Sequence, residues 1–258
     1  MKNHFFFPYT GNKREEVEII TKQIESKLDN IETIVEPFCG SAAFSYYISS
    51  KYPNKYKYVL NDNDNNLIEL LNTVKDTTKF NKLVDELSKA LENIDKEKYL
   101  TIIKQKTFLS YVLSHFVYAL RPGLFPTKDR KIKSIDNFTK APIVNFLRNE
   151  DITISNIDAG EIFKMYNNQK TTLIFLDPPY IEVENGNYKN PVFNIYEHLY
   201  YNPIKNEEAF IVLVLELTWI IKMLFKDEVK YTYEKIYRNT HKKTTHAIIS
   251  NKNLLQSV

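Results

Sequence analysis

Cysteine is almost absent from this 258-residue chain, and glycine is scarce. The single cysteine, Cys39, excludes an internal disulfide framework and fits a reducing compartment, read here as the cytoplasm. Apolar runs approaching the roughly 18 residues of a membrane span are missing, so no membrane partner is expected. The opening Phe5-Phe6-Phe7 is shorter than the roughly 7–15 apolar residues of a signal-peptide core. Charge of one sign is lacking too: 35 Lys+Arg against 32 Asp+Glu leave a net +3. Any nucleic-acid surface must then arise from local clusters of basic residues. The five glycines are Gly11, Gly40, Gly123, Gly160 and Gly186. In so poor a background each is a candidate for a backbone requirement.

What is present centres on Asp177-Pro178-Pro179-Tyr180. The preceding Thr172-Leu173-Ile174-Phe175-Leu176 has the length and composition of a buried strand. Two prolines cannot continue a sheet ladder, so the strand ends there. An acid, carbonyl acceptors and an aromatic ring therefore meet at a strand's carboxyl end, the edge where open α/β sheets bind ligands. Asp177 and the Pro178 carbonyl can accept hydrogen bonds from a planar amino group, while Tyr180 offers a stacking face. Taken alone, the same four residues also read as a strand-ending turn.

Residues 14–28 show helical amphipathicity. Residues 31–38 read as a strand, followed by the small-residue turn Cys39-Gly40-Ser41-Ala42-Ala43 and a helix from Phe44. That geometry exposes backbone N–H groups at a helix start. A second strand, residues 56–62, ends in Asp62, 22 positions after Gly40. An acid so placed can accept from ribose hydroxyls, or it can cap the helix that starts near Asn65. Residues 72–120 have a helical pattern in which His115 reads as a core histidine. Residues 121–133 form a basic loop punctuated by Pro122, Gly123 and Pro126, with Arg121, Lys128, Arg130 and Lys131 as candidate DNA contacts. A third strand ends near Asp158, and residues 209–217 supply a further strand. Residues 181–206 read as a long polar connection, a candidate lid. Residues 230–237 and 245–251 form a final hairpin, whose basic tip carries Lys242 and Lys243. Strands alternating with helices indicate an α/β fold with a mostly parallel twisted sheet.

In order, the chain carries Pro8-Tyr9-Thr10-Gly11-Asn12-Lys13, Glu36-Pro37-Phe38-Cys39-Gly40-Ser41-Ala42, Asn61-Asp62 and Asp177-Pro178-Pro179-Tyr180. This set resembles the Dam-type (alpha-group) adenine-N6 DNA methyltransferases. The resemblance implies a Rossmann-like catalytic domain from residues 1–75 and 150–258, with a helical target-recognition insertion at 76–149. It implies S-adenosylmethionine as cofactor, held by Tyr9, Lys13, Phe38, Gly40, Asp62, Asp158 and Asp177. Asp177 and Pro178 would hold the amino group of a flipped-out adenine, beside Pro179, and Tyr180 would stack on it. Double-stranded DNA is the implied partner, a companion restriction endonuclease is possible, and no metal is called for. Ala42 stands where the family's turn often has glycine, which alanine can replace if its φ stays negative. Cytosine-N4 transfer, an RNA substrate and a catalytically silent DNA-binding relative are the alternatives. Asp177 argues against the first, since that chemistry more often uses Ser-Pro-Pro-Tyr.

Overall fold

The computed structural model describes residues 4–7, 13–117, 125, 134–180, 204, 207–236 and 243–254. Helix α1 (Val17–Ile24) runs into a 3-10 turn at Glu25–Asn30. Strand β1 (Thr33–Glu36), helix α2 (Ala43–Lys51), strand β2 (Lys57–Asn61) and helix α3 (Asn65–Lys75) follow. The helical stretch anticipated over 72–120 is broken into α3, α4 (Thr77–Leu91), α5 (Lys96–Lys104) and α6 (Phe108–Val117). Two of the three breaks lie at aspartates. Asp76 and Asp95 leave helical geometry, and their carboxylates accept from the first free N–H groups of α4 and α5. A short α7 (Asp136–Thr139) precedes α8 (Pro142–Asn149), an amphipathic helix started by a proline in its first turn. The remaining elements are β3 (Asp151–Ser155), α9 (Ala159–Tyr166), β4 (Thr172–Leu176), β5 (Phe210–Glu216), α10 (Trp219–Leu224), β6 (Val229–Ile236) and β7 (Lys243–Ser250).

Among the described residues, seven strands form one sheet in the order β3-β2-β1-β4-β5-β7-β6. The first five in that order are parallel, and β7 is antiparallel to both its neighbours. This is the Rossmann-like, mostly parallel sheet expected of a methyltransferase. The chain winds outward from β1 to β2 and β3, then returns to place β4 on the other side of β1. The crevice between the carboxyl ends of β1 and β4 is therefore the topological switch point.

Strict alternation along the strands sends side chains into two apolar layers. Ile34, Leu173, Phe175, Phe210 and Val212 face the layer built by α1–α4, α6 and α8. Val35, Ile174, Leu176, Ile211 and Leu213 face the layer of α9 and α10. The ring of Phe175 stacks on Phe44 of α2, with centroids 4.0 Å apart, which fixes α2 over β4. The helices between 76 and 149 bury Phe80, Leu87, Phe116 and Phe138 in the same cluster as Phe6 and Val17. His115 is half-buried, its Nδ1 donating to the Tyr111 carbonyl at 2.9 Å, as a core histidine should. Among the described residues, no helix is long and apolar enough to cross a membrane.

One expectation is corrected. Ala42 is not at negative φ: it adopts φ 50°, ψ 37°, immediately before α2. Left-handed geometry costs an L-residue roughly 1–2 kcal/mol. The turn is held because the Ala42 N–H bonds the Cys39 carbonyl at 2.7 Å and its methyl is fully buried.

Candidate active site

The turn after β1 forms the first wall of the crevice. Gly40, at φ 48°, donates its N–H to Asp62 Oδ2 at 2.9 Å, joining the ends of β1 and β2. Asp62 also accepts from the Asp64 N–H at 3.1 Å. The capping role is taken instead by Asp64, which accepts from Asn66 and Leu67 at the start of α3. The acid pair in this run is thus divided: Asp64 caps, while Asp62 faces the glycine turn. Burial holds Asp62 above the usual carboxylate range, against the pull of the N–H groups it accepts from.

Asn61, fully buried, ties three strand ends together. Its Nδ2 donates to the Pro37 carbonyl at 3.1 Å and the Ile157 carbonyl at 3.0 Å. Its Oδ1 accepts from Ser155 Oγ at 2.8 Å and the Ile157 N–H at 3.0 Å. All its hydrogen-bonding capacity is used, which makes it a rigid staple. Phe38 is half-buried and packs against the same apolar layer as Tyr180. Asp158 is exposed at the end of β3 and caps α9, accepting from the Gly160 N–H at 2.8 Å.

The second wall follows β4. Asp177 and Tyr180 are both partly exposed, and Pro178 is buried between them. The Asp177 carboxylate is paired with the Lys13 ammonium, which is only 5% exposed. Lys13 Nζ also donates to the Tyr180 hydroxyl at 3.0 Å. Lys13, expected among the cofactor contacts, thus has its ammonium on the two residues expected to hold the base. Burial raises Asp177 above the usual carboxylate range, and the Lys13 charge partly offsets this.

Several residues at this edge escaped sequence reasoning. Glu36, 2% exposed at the end of β1, accepts from the Ser45 N–H at 2.9 Å and stands in for a side-chain cap of α2. Burial pushes its carboxyl up to about 8. Glu16, 3% exposed, accepts from Tyr233 hydroxyl at 2.6 Å, Lys235 Nζ at 2.5 Å and His246 Nδ1 at 3.0 Å. Burial pushes Glu16 upward, but His246, Lys13 and Lys235 outweigh it and hold the carboxyl well below the usual range. A polar residue in an otherwise buried strand, His246 before Ala247-Ile248-Ile249, was the one visible signal.

Of the proposed DNA contacts, Lys243 is exposed at the start of β7. Because β7 runs antiparallel to β5, that start lies at the carboxyl edge of the parallel strands, where Leu217 N–H bonds Thr245 at 2.7 Å. Tyr9, Arg121, Lys128, Arg130, Lys131 and Lys242 lie outside the described residues, as does the proposed lid at 181–206 apart from Ile204. Among the described residues, no group of three or more His, Cys, Asp or Glu could hold a metal ion.

Chemically, the crevice has two halves. Phe38, Gly40 and Asp62 offer an apolar face, a close-approach backbone and a carboxylate; Asp177, Pro178 and Tyr180 offer amine acceptors and a ring. The family model described as D12 class N6 adenine-specific DNA methyltransferase matches residues 9–148. The chain is 26% identical, over 267 aligned residues, to the Type II methyltransferase M.CviBI of Paramecium bursaria Chlorella virus NC1A, covering 94% of this chain and 97% of that protein. Among solved structures, the rRNA methyltransferase aviRa from Streptomyces viridochromogenes aligns with a TM-score of 0.41 at 13% identity, over 91% of this chain and 84% of that one. A likeness that distant says nothing about substrate.

Proposed function

The chain belongs to the D12 class of N6 adenine-specific DNA methyltransferases, and from that premise we propose how its residues divide the work. S-adenosylmethionine is the donor, held by Tyr9, Phe38, Gly40, Asp62 and Asp158. The fit rests on the donor set. Asp62 keeps spare lone pairs beyond its bonds to Gly40 and Asp64, which suits ribose hydroxyls. Gly40 lets the ligand approach the backbone, and half-buried Phe38 offers an apolar face to an adenine ring. When bound, the cofactor supplies an electrophilic methyl group on a sulfonium.

The target adenine leaves the duplex, at a cost of a few kcal/mol. Tyr180 recovers part of this, since stacking contributes about 1–3 kcal/mol per base. The N6 amino group donates to the Asp177 carboxylate and the Pro178 carbonyl. These bonds draw its lone pair out of conjugation with the ring and hold it in position. The Asp177 carboxylate, its proton affinity raised by burial, is placed to take the proton that N6 sheds. Lys13 keeps Asp177 ionised before the base arrives. The helices at 76–149 and the basic loop at 121–133 carry target recognition, and Lys243 adds a phosphate contact at the hairpin. The protein acts on double-stranded DNA in the cytoplasm, as the modification partner of a restriction endonuclease, in line with the Type II designation of its viral relative.

The observation that supports this reading most is the placing of Asp177 and Tyr180, both partly exposed, at the β1/β4 switch point. The test joins calorimetry with S-adenosylmethionine to mass spectrometry of nucleosides from methylated duplex DNA. N6-methyladenine and a cofactor affinity lost in Asp62→Ala are expected. N4-methylcytosine as product, or unchanged affinity in that variant, would overturn the assignment.

A further inference from the structure

On the α1 side of the sheet, below the catalytic edge, lies a buried polar cluster that the chemistry above does not use. His246 is fully buried at the middle of the β5-β7-β6 triplet, opposite Glu216 on one side and Tyr233 on the other. Apolar residues would pack there without desolvation cost, and a buried ion pair is a weak source of stability. The chain instead buries the Glu16 carboxylate and surrounds it with Tyr233, Lys235 and His246. The cluster reaches the crevice through Tyr180. The Tyr180 ring stands edge-on to His246, with centroids 5.6 Å apart at 79°, and its hydroxyl is 3.5 Å from Nδ1. That hydroxyl also accepts from Lys13 Nζ, so it sits between two side chains from different elements. Lys13 and Glu16 lie one turn apart, where the Glu16 and Val17 N–H groups bond the Lys13 carbonyl.

We infer that Glu16 and His246 form a positioning pair that sets the plane of the Tyr180 ring for the flipped adenine. The inference rests on the reading of Tyr180 as the stacking platform. Glu16 orients the imidazole through Nδ1, and the imidazole edge limits rotation of the tyrosine. A ring already aligned loses less freedom when the base arrives. Both are positioning residues; neither needs to touch substrate.

The test uses the full chain and two duplexes. One has adenine at the target position, and kcat is read on it. The other has 2-aminopurine there, which has no N6 amino group to methylate and whose emission reports stacking of the flipped base. His246→Leu is expected to lower kcat about five-fold, the scale of one lost hydrogen bond. It should brighten the flipped base and leave cofactor affinity unchanged, while His246→Asn, which keeps a donor near Nδ1, restores both. Tyr180→Phe should reproduce the His246→Leu defect, and the double variant should add nothing to it. Additive defects overturn the pair, because two independent contacts would then be at work. Should His246→Leu fail to fold, Tyr180→Phe alone decides: wild-type kcat and emission in that variant overturn the inference. Tyr180→Ala separates the two claims. Unchanged emission and rate there remove the stacking reading itself, whereas a defect there with an additive cycle removes only the positioning pair.

Discussion

Replacing Asp177 with alanine should do two separable things. It removes the acceptor for the amino group, and it strands the Lys13 ammonium, which is 5% exposed. A hydrogen bond to a charged group contributes about 1.5–3 kcal/mol, so its loss alone costs roughly 10- to 150-fold in rate. Misplacement of the amino group adds to that, and methyl transfer should fall below detection. Removing one partner of a buried pair typically costs about 3–5 kcal/mol. Lys13 keeps the Tyr180 hydroxyl and the nearby Glu16 charge, so about 2–3 kcal/mol is expected here. For a chain of this size that is a fall in melting temperature of about 5–10 °C. Pairing the change with Lys13→Met removes the stranded charge. The double variant should recover most of the melting temperature and remain inactive. Tritium transfer from labelled S-adenosylmethionine and a thermal melt measure both effects. A melting temperature in Asp177→Ala within about 1 °C of wild type would refute the buried pair. Appreciable turnover in the double variant would refute the role of the carboxylate.

The acid limb of kcat should lie above the ordinary carboxylate range, since the ionised Asp177 is the working form and burial raises its proton affinity. Activity is then present above that raised pKa and lost as pH falls through it. Lys13→Met should move the limb further up, and a limb left in place in that variant would contradict the ion pair. Asn61→Ala unfastens the turns after β1 and β3; weaker cofactor binding and a lower melting temperature are expected, by calorimetry and melt, with normal values of both counting against the staple. Tyr180→Ala should raise KM for DNA or lower kcat by roughly 5- to 150-fold in total, the 1–3 kcal/mol of one lost stack, as read in steady-state assays. Arg121→Ala and Arg130→Ala should each weaken DNA binding and reduce the slope of log K against log salt by about 0.9; an unchanged slope would place recognition elsewhere.

Local chemistry was legible where one segment carries it alone. The apolar run before Asp177, stopped by two prolines, can only be a buried strand with an acid at its end. The aspartates ahead of α4 and α5 were equally local, yet the periodic apolar residues around them masked the breaks. Ala42 shows the limit of a residue-type rule: its left-handed backbone is imposed by the bond to Cys39 and the packing of its methyl. The order of motifs along the chain sufficed to indicate the chemistry, because each lies at a strand end and the alternation of strands and helices brings such ends to one edge.

The residues by themselves therefore determined the parallel sheet, the switch-point turn and the acid–proline–proline–tyrosine corner. Only the tertiary structure decided who stands beside that corner. Lys13 is 164 positions from Asp177, and Glu16 is 217 from Tyr233. Nothing periodic links such positions, since an ion pair or a hydrogen bond depends on distance in space, and the seating of the segment leading into α1 against the end of β4 and against β6 and β7 sets that distance.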